Sequence, residues 1–240
     1  MKTSIVAFLD FLGYRSLISS LGEDPKKLKT ELDRLKAAIN DAETYLKMES
    51  FEYKFFTDNL VVSTEIEAFD LGEGPLGNIL GALAIYQLAI SSHGYFIRGG
   101  IEAGYNYIDE KVVFGNALIT AYNLESKCAV FPRILVGPKL QSLIERHKKW
   151  YPNVEKMPHN DVLNLASTEL FIDYLKGSLT YCEDDYTSIY PLVEKHKTNI
   201  EKALKQHQSN YKVLNKYIWL KNYHNNFCNL ESAFKKLIIQ

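Results

Sequence analysis

The chain has 240 residues, of which 46% are hydrophobic and 24% are charged. This composition is typical of a folded globular protein and excludes an intrinsically disordered one. Because 28 lysine and arginine residues balance 29 acidic residues, we expect no non-specific attraction to nucleic acid or to an anionic membrane.

The spacing of the cysteines and the length of the apolar runs indicate the cellular compartment of the protein. Cys128, Cys182 and Cys228 are too far apart for a CxxC metal motif, and their odd number does not suit a secreted disulfide framework. The N-terminal apolar run is interrupted by Asp10 and predicts a strand rather than a signal peptide. No run approaches the roughly 18 apolar residues that a membrane span requires. We therefore expect a cytoplasmic protein with reduced thiols and no membrane partner.

The first third of the chain predicts a strand, a helix and a hairpin. Ser4–Leu9 is continuously apolar, as in a central strand, and a turn at Gly13 closes it. Pro25–Met48 predicts a helix, because apolar residues recur there at steps of three and four. Those apolar residues are Leu28, Leu32, Leu35, Ile39, Ala42 and Leu46. The runs FEYKFF and LVVST, joined through Asp58, predict a tight β-hairpin with an acid at its tip.

The middle of the chain completes the core. Residues 72–77 are glycine-rich and predict a loop, and Ile79–Ser91 predicts a helix. The strand pattern at 95–108 contains three glycines, which indicate a bend, a bulge or a close approach by a ligand. A short strand KVVFG, a helix ALITAYNLESKCA and a strand at Pro132–Val136 follow. The order β, α, hairpin, α, β, β, α, β predicts an α/β fold, with a ferredoxin-like βαββαβ core and an added hairpin.

The chain changes character near Trp150, which divides it into a predicted core domain at 1–150 and a mainly helical extension at 151–240. The run LFIDYL predicts a short strand, and the tract Ser188–Leu237 predicts two helices. The apolar face of the first helix is expected to comprise Ile189, Val193, Ile200, Leu204 and Tyr211. The second helix is expected to place Tyr217, Leu220, His224 and Phe227 on one side. His224 is expected to be a core histidine rather than a ligand.

Two aspartates carry the chemical prediction. Asp10 ends the apolar first strand, and strand ends are where α/β sheets display functional groups. Taken alone, Asp10 is equally well explained as a helix N-cap and Asp58 as an ordinary turn residue. In the predicted fold, however, both carboxylates meet at one edge of the sheet, where they repel unless a proton or cation lies between them. Magnesium or manganese would relieve that repulsion.

Four sequence blocks resemble a known family. VAFLDFLGY, KFFTDNLVVS, IRGGIEAG and VFGNALITAYNLES resemble, in order and spacing, the core of the class III nucleotidyl cyclases over residues 4–136. Within that family the chain is most similar to the Pycsar antiphage cyclases, which make cyclic UMP or cyclic CMP. The tail segments LFIDYL and KYIWLKNYHN resemble theirs too.

The resemblance implies a homodimer with active sites at the subunit interface. Asp10 and Asp58 would hold two divalent ions, Mn²⁺ or Mg²⁺, with the Phe11 carbonyl as a further ligand. The amides of Phe11, Leu12 and Gly13, ahead of a helix start, would bind phosphate. The ribose 3′-hydroxyl of a nucleoside triphosphate would then attack the α-phosphate and expel pyrophosphate. A separate effector protein would read the cyclic product.

Further positions follow from the same motifs. Lys54 stands where purine cyclases keep a base-selecting lysine, whereas Asn116 matches the second base-selecting position and suits a pyrimidine edge. The helix positions that normally hold an asparagine and an arginine are Ile119 and Asn123 here.

Two other arginines are therefore the candidates for stabilising charge on the phosphates. Arg98 and Arg133 are well placed in the sequence for that role. The competing explanation for each is an ion pair with a nearby acid.

Three functions remain open on the sequence. The first is an active pyrimidine nucleotide cyclase, because both acids are present in their motifs. The second is a purine cyclase, which Lys54 favours. The third is a catalytically silent nucleotide-binding or interaction protein of the same fold, which the replaced helix residues favour.

Overall fold

The computed structural model describes residues 1–49, 51–66, 73–153 and 157–240. Within them the chain forms β1 (Lys2–Phe11), α1 (Tyr14–Leu21), α2 (Pro25–Met48), β2 (Glu52–Phe56), β3 (Asn59–Glu65), α3 (Glu73–Ser92), β4 (Ile97–Ile108), β5 (Val113–Gly115), α4 (Asn116–Asn123), β6 (Ile134–Val136), α5 (Pro138–His147), β7 (Leu163–Asn164), β8 (Phe171–Ile172), α6 (Tyr174–Tyr181), α7 (Tyr186–Gln206) and α8 (Tyr211–Leu230). A π-helix at Leu124–Cys128 extends α4, and 3₁₀ turns lie at Lys148–Trp150, Pro158–Asp161 and Ser232–Leu237.

The sheet has the order β2-β3-β1-β4-β6-β8-β7, with β5 paired to β4. The central strand β1 is antiparallel to both β3 and β4, and β2 and β3 form the expected hairpin. These four strands have the order and directions of the ferredoxin-like core, and β5 supplies the added hairpin. Strands β8 and β7 continue the sheet past β6, so the C-terminal part packs on the core sheet itself.

The alternation of side chains along β1 decides which face carries Asp10. Ile5 and Leu9 point into the main core formed with α2 and α3. Val6 and Phe8 lie on the opposite face, which α4 covers through Ala117. Since side chains two apart on a strand share a face, Asp10 lies on the α4 face.

Helix α3 is the buried central helix. Residues 73–77 form its first turn, so the predicted loop there is wrong, while Gly72 lies outside the described residues. Pro75 is tolerated because a first-turn amide has no intrahelical acceptor, and burial of Leu76 and Ile79 favours the helix. Among the described residues, α3 alone is long and apolar enough to cross a membrane, but 78% of its most apolar window is buried inside the protein, as in a soluble core helix.

Gly100 in β4 allows α4 to pack closely against the sheet. A side chain at Gly100 would collide with the Ala121 carbonyl oxygen and with Leu124. The close approach expected from the glycine-rich strand is therefore made by a helix and not by a ligand. This contact sets the distance between the sheet and α4, together with the π-helix that follows α4.

The C-terminal part is mainly helical and contains the two predicted helices. The predicted strand LFIDYL is shorter than expected, because Asp173 ends it by accepting a hydrogen bond from the Lys176 amide and capping α6. The apolar face predicted for α7 is partly wrong. Tyr211 is 78% exposed and Leu204 is only partly buried, whereas His196 and Ala203 are buried.

A polar network explains why His196 is buried. Tyr174 Oη lies 2.7 Å from His196 Nε2, and the two Nδ1 atoms of His196 and His224 are 2.9 Å apart. His224 Nε2 is 2.9 Å from the Leu237 carbonyl oxygen. The chain of contacts is satisfied by two neutral rings, with His224 donating to Leu237 and His196 donating to His224. His224 is thus a core histidine, as predicted.

Candidate active site

Asp10 lies near the end of β1 between two other strands. It is paired in register with Asn59 on β3 and with Arg98 on β4. Its side chain is only 18% exposed. An ionised carboxylate at this depth requires a cationic or hydrogen-bonding partner.

Arg98 supplies that partner. Its Nε and Nη2 atoms each lie 3.2 Å from Asp10 Oδ2, and Nη2 is also 2.8 Å from Glu125 Oε1. Its Nη1 donates a 3.4 Å hydrogen bond to the Ala129 carbonyl. The guanidinium therefore holds two carboxylates together beside the end of the α4 extension.

Glu125 is the functional candidate that sequence reasoning missed. Its side chain is 5% exposed, and it belongs to the π-helix that follows α4. Burial raises the pKa of Glu125 to about 7; Arg98 opposes the rise, and the Asp10 and Asp58 carboxylates add to it. The available signal was the acid in the LES segment directly after the helix. π-helical turns are frequent at functional sites.

Asp58 lies at the tip of the β2–β3 hairpin. The Phe11 amide donates a 3.2 Å hydrogen bond to the Asp58 carbonyl oxygen, which joins the hairpin tip to the end of β1. Asp58 Oδ1 accepts a 2.8 Å hydrogen bond from the Thr57 hydroxyl, and Thr57 has a left-handed φ of 54°. The two aspartates therefore lie at one edge of the sheet.

The electrostatics of Asp10 reflect that proximity. Burial raises the pKa of the Asp10 carboxyl, the charge and hydrogen bonds of Arg98 oppose this rise, and the Asp58 carboxylate adds to it. Two carboxylates that interact in this way favour a shared cation.

The turn after β1 corrects part of the predicted phosphate site. The Phe11 amide is used by Asp58, and the Leu12 amide donates a 2.7 Å hydrogen bond to the Phe96 carbonyl. Gly13 has a φ of 79° and precedes α1, which has no side-chain cap. Asp10 is therefore not the N-cap of α1. An anion at this turn would meet the uncapped first turn of α1 rather than the amides of Phe11 and Leu12.

An apolar groove lies on the same face of the sheet as Asp10. Its volume is about 510 Å³, within the range of small-molecule sites. Its lining includes Phe8, Phe56, Val61, Leu118, Ile119 and Tyr122. Phe8 is two residues from Asp10, so the groove begins next to the acids.

Neither predicted base-selecting residue is among those that line this groove, but Lys54 contacts one of its walls. Lys54 is paired in register with Val61, and its ammonium lies 5.3 Å from the centroid of the Phe56 ring. Asn116 is exposed at the start of α4, and Asn123 is partly buried at its end, two residues before Glu125.

Arg133 has a different environment from the one predicted. Its guanidinium forms an ion pair with Glu169 and lies 5.1 Å from the Phe171 ring and 5.8 Å from the Trp219 ring. Its side chain is 7% exposed. The competing explanation, an ion pair with a nearby acid, describes this geometry better than a phosphate contact does.

The donor atoms at the site suit divalent metal. Asp10 and Asp58 offer carboxylate oxygens, and the Phe11 carbonyl is adjacent in the chain. Magnesium is usually held by one or two carboxylates and substrate phosphates, with water completing the octahedron. Among the described residues, no group of three or more acidic, histidine or cysteine side chains is arranged to hold a metal ion by itself.

Comparison with known proteins supports the fold. No family profile and no curated protein sequence matches this chain. The adenylyl cyclase CyaB from P. aeruginosa superposes with a TM-score of 0.50 at 18% identity, over 60% of this chain and 81% of that one. A class III adenylyl cyclase-like ATP-binding protein from Pseudomonas aeruginosa superposes with a TM-score of 0.51 at 15% identity, over 84% of this chain but only 44% of that one. The chain therefore has a class III cyclase-like fold with a helical C-terminal region, as the sequence predicts.

Proposed function

We propose that this chain is a metal-dependent nucleotide cyclase, which converts a pyrimidine nucleoside triphosphate, UTP or CTP, into its 3′,5′-cyclic monophosphate and pyrophosphate. The observation that carries the proposal is the convergence of Asp10 and Asp58 on one edge of a cyclase-like sheet. The Phe11 to Asp58 hydrogen bond supports this convergence, and so does the repulsion that Asp10 experiences from Asp58.

The roles of the residues follow from this geometry. Asp10, Asp58 and the Phe11 carbonyl would hold two Mn²⁺ or Mg²⁺ ions. When bound, such ions polarise the α-phosphate and lower the pKa of the ribose 3′-hydroxyl. Gly13 and the uncapped first turn of α1 would orient the phosphates.

Arg98 has two roles in this proposal. Before substrate binds, it pairs with both Asp10 and Glu125. If Asp10 held a metal ion, the Arg98 guanidinium would be free to contact the negative charge that develops on the phosphates.

The choice of base rests on the groove beside the acids. Asn116 is exposed at the start of α4 and can both donate and accept hydrogen bonds, which suits a pyrimidine edge. The similarity to the Pycsar cyclases favours the same base class and, with it, a role in antiphage defence with a separate effector that binds the product. A purine is the second candidate, because Lys54 lies beside the groove.

The proposal includes a cytoplasmic homodimer. The β4–β5 hairpin and α4 expose several large apolar side chains, which a monomer would leave in water. They include Tyr105 (62% exposed), Phe114 (65%) and Ile119 (57%). Of these residues Ile119 also lines the groove, so a second copy that covers Ile119 would cover the groove and complete the site.

Product analysis tests the function. The protein is incubated with each of ATP, GTP, CTP and UTP in Mn²⁺ or Mg²⁺, and the products are identified by mass spectrometry. A cyclic pyrimidine product supports the proposal, and cyclic AMP or GMP supports the purine alternative. Nucleotide binding with no turnover in any of the four would overturn the enzymatic proposal and leave a silent binding protein.

A further inference from the structure

The C-terminal helix α8 packs directly against the turn that follows Asp10. Tyr217 contacts Phe96 edge to face, with 5.7 Å between ring centroids, and both belong to an apolar cluster that includes Leu12 and Leu220. Because the Phe96 carbonyl also accepts the Leu12 amide, this cluster fixes α8 to the turn. The first half of α8 is therefore one wall of the candidate site.

A second contact fixes α8 to the other side of Arg98. Trp219 stacks on Phe131 with a centroid distance of 5.3 Å and an interplanar angle of 11°. Phe131 lies two residues after Ala129, whose carbonyl accepts a hydrogen bond from Arg98. Helix α8 thus spans the gap between the turn after β1 and the segment after the π-helix.

Lys216 lies on α8 immediately before these two contacts. It is half-buried and forms no ion pair or hydrogen bond with the described residues. Burial lowers the pKa of Lys216, the charges of Arg98 and Lys212 lower it further, and Asp10 raises it. Lys216 is adjacent in the chain to Tyr217, which packs on Phe96 beside the turn after Asp10.

The two arginines expected to stabilise charge on the phosphates already have partners. Arg98 is held by Asp10 and Glu125, and Arg133 is held by Glu169. Helix α4 offers Ile119 and Asn123, neither of which is charged. A half-buried lysine without an anion is unfavourable, and a bound anion would remove that cost.

We infer that Lys216 binds the triphosphate of the substrate at the Asp10 site, as a cation that the C-terminal helix supplies to the catalytic sheet. The inference rests on the proposed function for the identity of the ligand. It gives the C-terminal part of the chain a direct role in the site, and it assigns Lys216 a charge-compensating contact that α4 does not provide.

Binding of polyphosphate tests this without turnover. Affinities for inorganic tripolyphosphate and for α,β-methylene-UTP, both with Mg²⁺, are measured by calorimetry for the wild type and for Lys216→Gln. We expect both affinities to fall by about tenfold or more, the value of one charge-assisted hydrogen bond, and UMP binding to change less. Lys216→Arg should restore most of the loss, and circular dichroism should show an intact fold.

Lys212→Gln is the matched control, because it removes the same charge one turn earlier on the same helix, where the side chain is exposed. Equal losses in the two variants, or wild-type affinity in Lys216→Gln, would overturn the inference.

Turnover separates this inference from the proposed function. If Lys216→Gln cyclises its substrate with unchanged kcat and KM, Lys216 does not bind the triphosphate, and the proposed cyclase function still holds. If the wild type cyclises no nucleotide but Lys216→Gln still loses affinity for tripolyphosphate, Lys216 is a phosphate ligand and the proposed enzymatic function is wrong.

Discussion

Arg98 directs two of its nitrogens at a single oxygen of Asp10, with both distances at 3.2 Å. The same guanidinium contacts Glu125, so one cation is shared by a partly buried acid and a buried one. This arrangement gives both carboxylates a cationic partner within the chain. Under the proposed function, a metal ion on Asp10 would have to compete with an arginine that is already in place.

Removing Arg98 should therefore destabilise the protein. In Arg98→Met we expect the free energy of unfolding to fall by about 3 kcal/mol, since breaking one side of a buried ion pair leaves uncompensated charge. Urea unfolding at pH 7 measures this. Arg15→Met, which changes an exposed arginine on α1, should shift it by less than about 0.5 kcal/mol. Equal stability of the Arg98 variant and the wild type would contradict a stabilising role for the contacts of Arg98 with Asp10 and Glu125.

Both aspartates should be essential for turnover. We expect Asp10→Ala and Asp58→Ala to lower kcat by about a hundredfold or more, because each removes an anionic metal ligand. The folds should persist, because Arg98 keeps Glu125 as a partner when Asp10 is removed and loses neither acid when Asp58 is removed. Manganese binding, followed by electron paramagnetic resonance, should weaken in parallel. Asp33→Asn, an exposed acid on α2, serves as the control. Near-normal activity in either alanine variant would end the two-metal proposal.

Stability should decline in mild acid because of the buried histidines. Burial lowers the pKa of both His159 and His224 to about 4, whereas an unfolded histidine titrates near 6.5. The unfolded chain therefore binds more protons between these values, so stability is complete above about pH 6.5 and falls as pH drops towards 4. Each group should contribute a loss of about 2 kcal/mol by pH 5.

Urea unfolding at pH 7, 6 and 5 measures this loss. Burial also lowers the pKa of His196, with the neighbouring His224 adding to the effect, which acts in the same direction. His224→Gln should reduce the pH slope even if the variant is less stable at pH 7. Glu125, whose pKa burial raises to about 7, binds its proton more readily in the folded state and opposes this loss. The decisive comparison is therefore between the two proteins, and equal pH slopes in the wild type and His224→Gln would contradict this account.

The exposed apolar surface on β5 should mediate dimerisation. Phe114 is 65% exposed, and Phe114→Glu should weaken self-association by about tenfold or more, because a charge would be buried on assembly. Sedimentation velocity across a concentration series provides the measurement. Leu230→Glu places the same charge on a residue that is 84% exposed at the end of α8, away from this surface. A fully active monomer would show that the site needs no second subunit.

Local patterns in the sequence were sufficient to predict the helices and strands of the core and the places of Asp10 and Asp58 within them. Hydrophobic periodicity gave α2 its correct bounds at Pro25–Met48, and strand and turn residues located the hairpin that carries Asp58. These features depend on neighbours three or four residues apart on a helix or two apart on a strand, which a single sequence displays directly. The order of the elements then fixed the ferredoxin-like topology.

The partners of the charged residues were decided only by the tertiary structure. Arg98 meets Glu125 across 27 positions of sequence, and Arg133 pairs with Glu169. Helix α8, which begins more than 200 residues after Asp10, packs beside the turn that follows it. Local periodicity carries no information on such contacts, because they depend on how α4 and α8 pack on the sheet. Ionic partners are selected by distance and burial in space, and both exist only once the chain has folded.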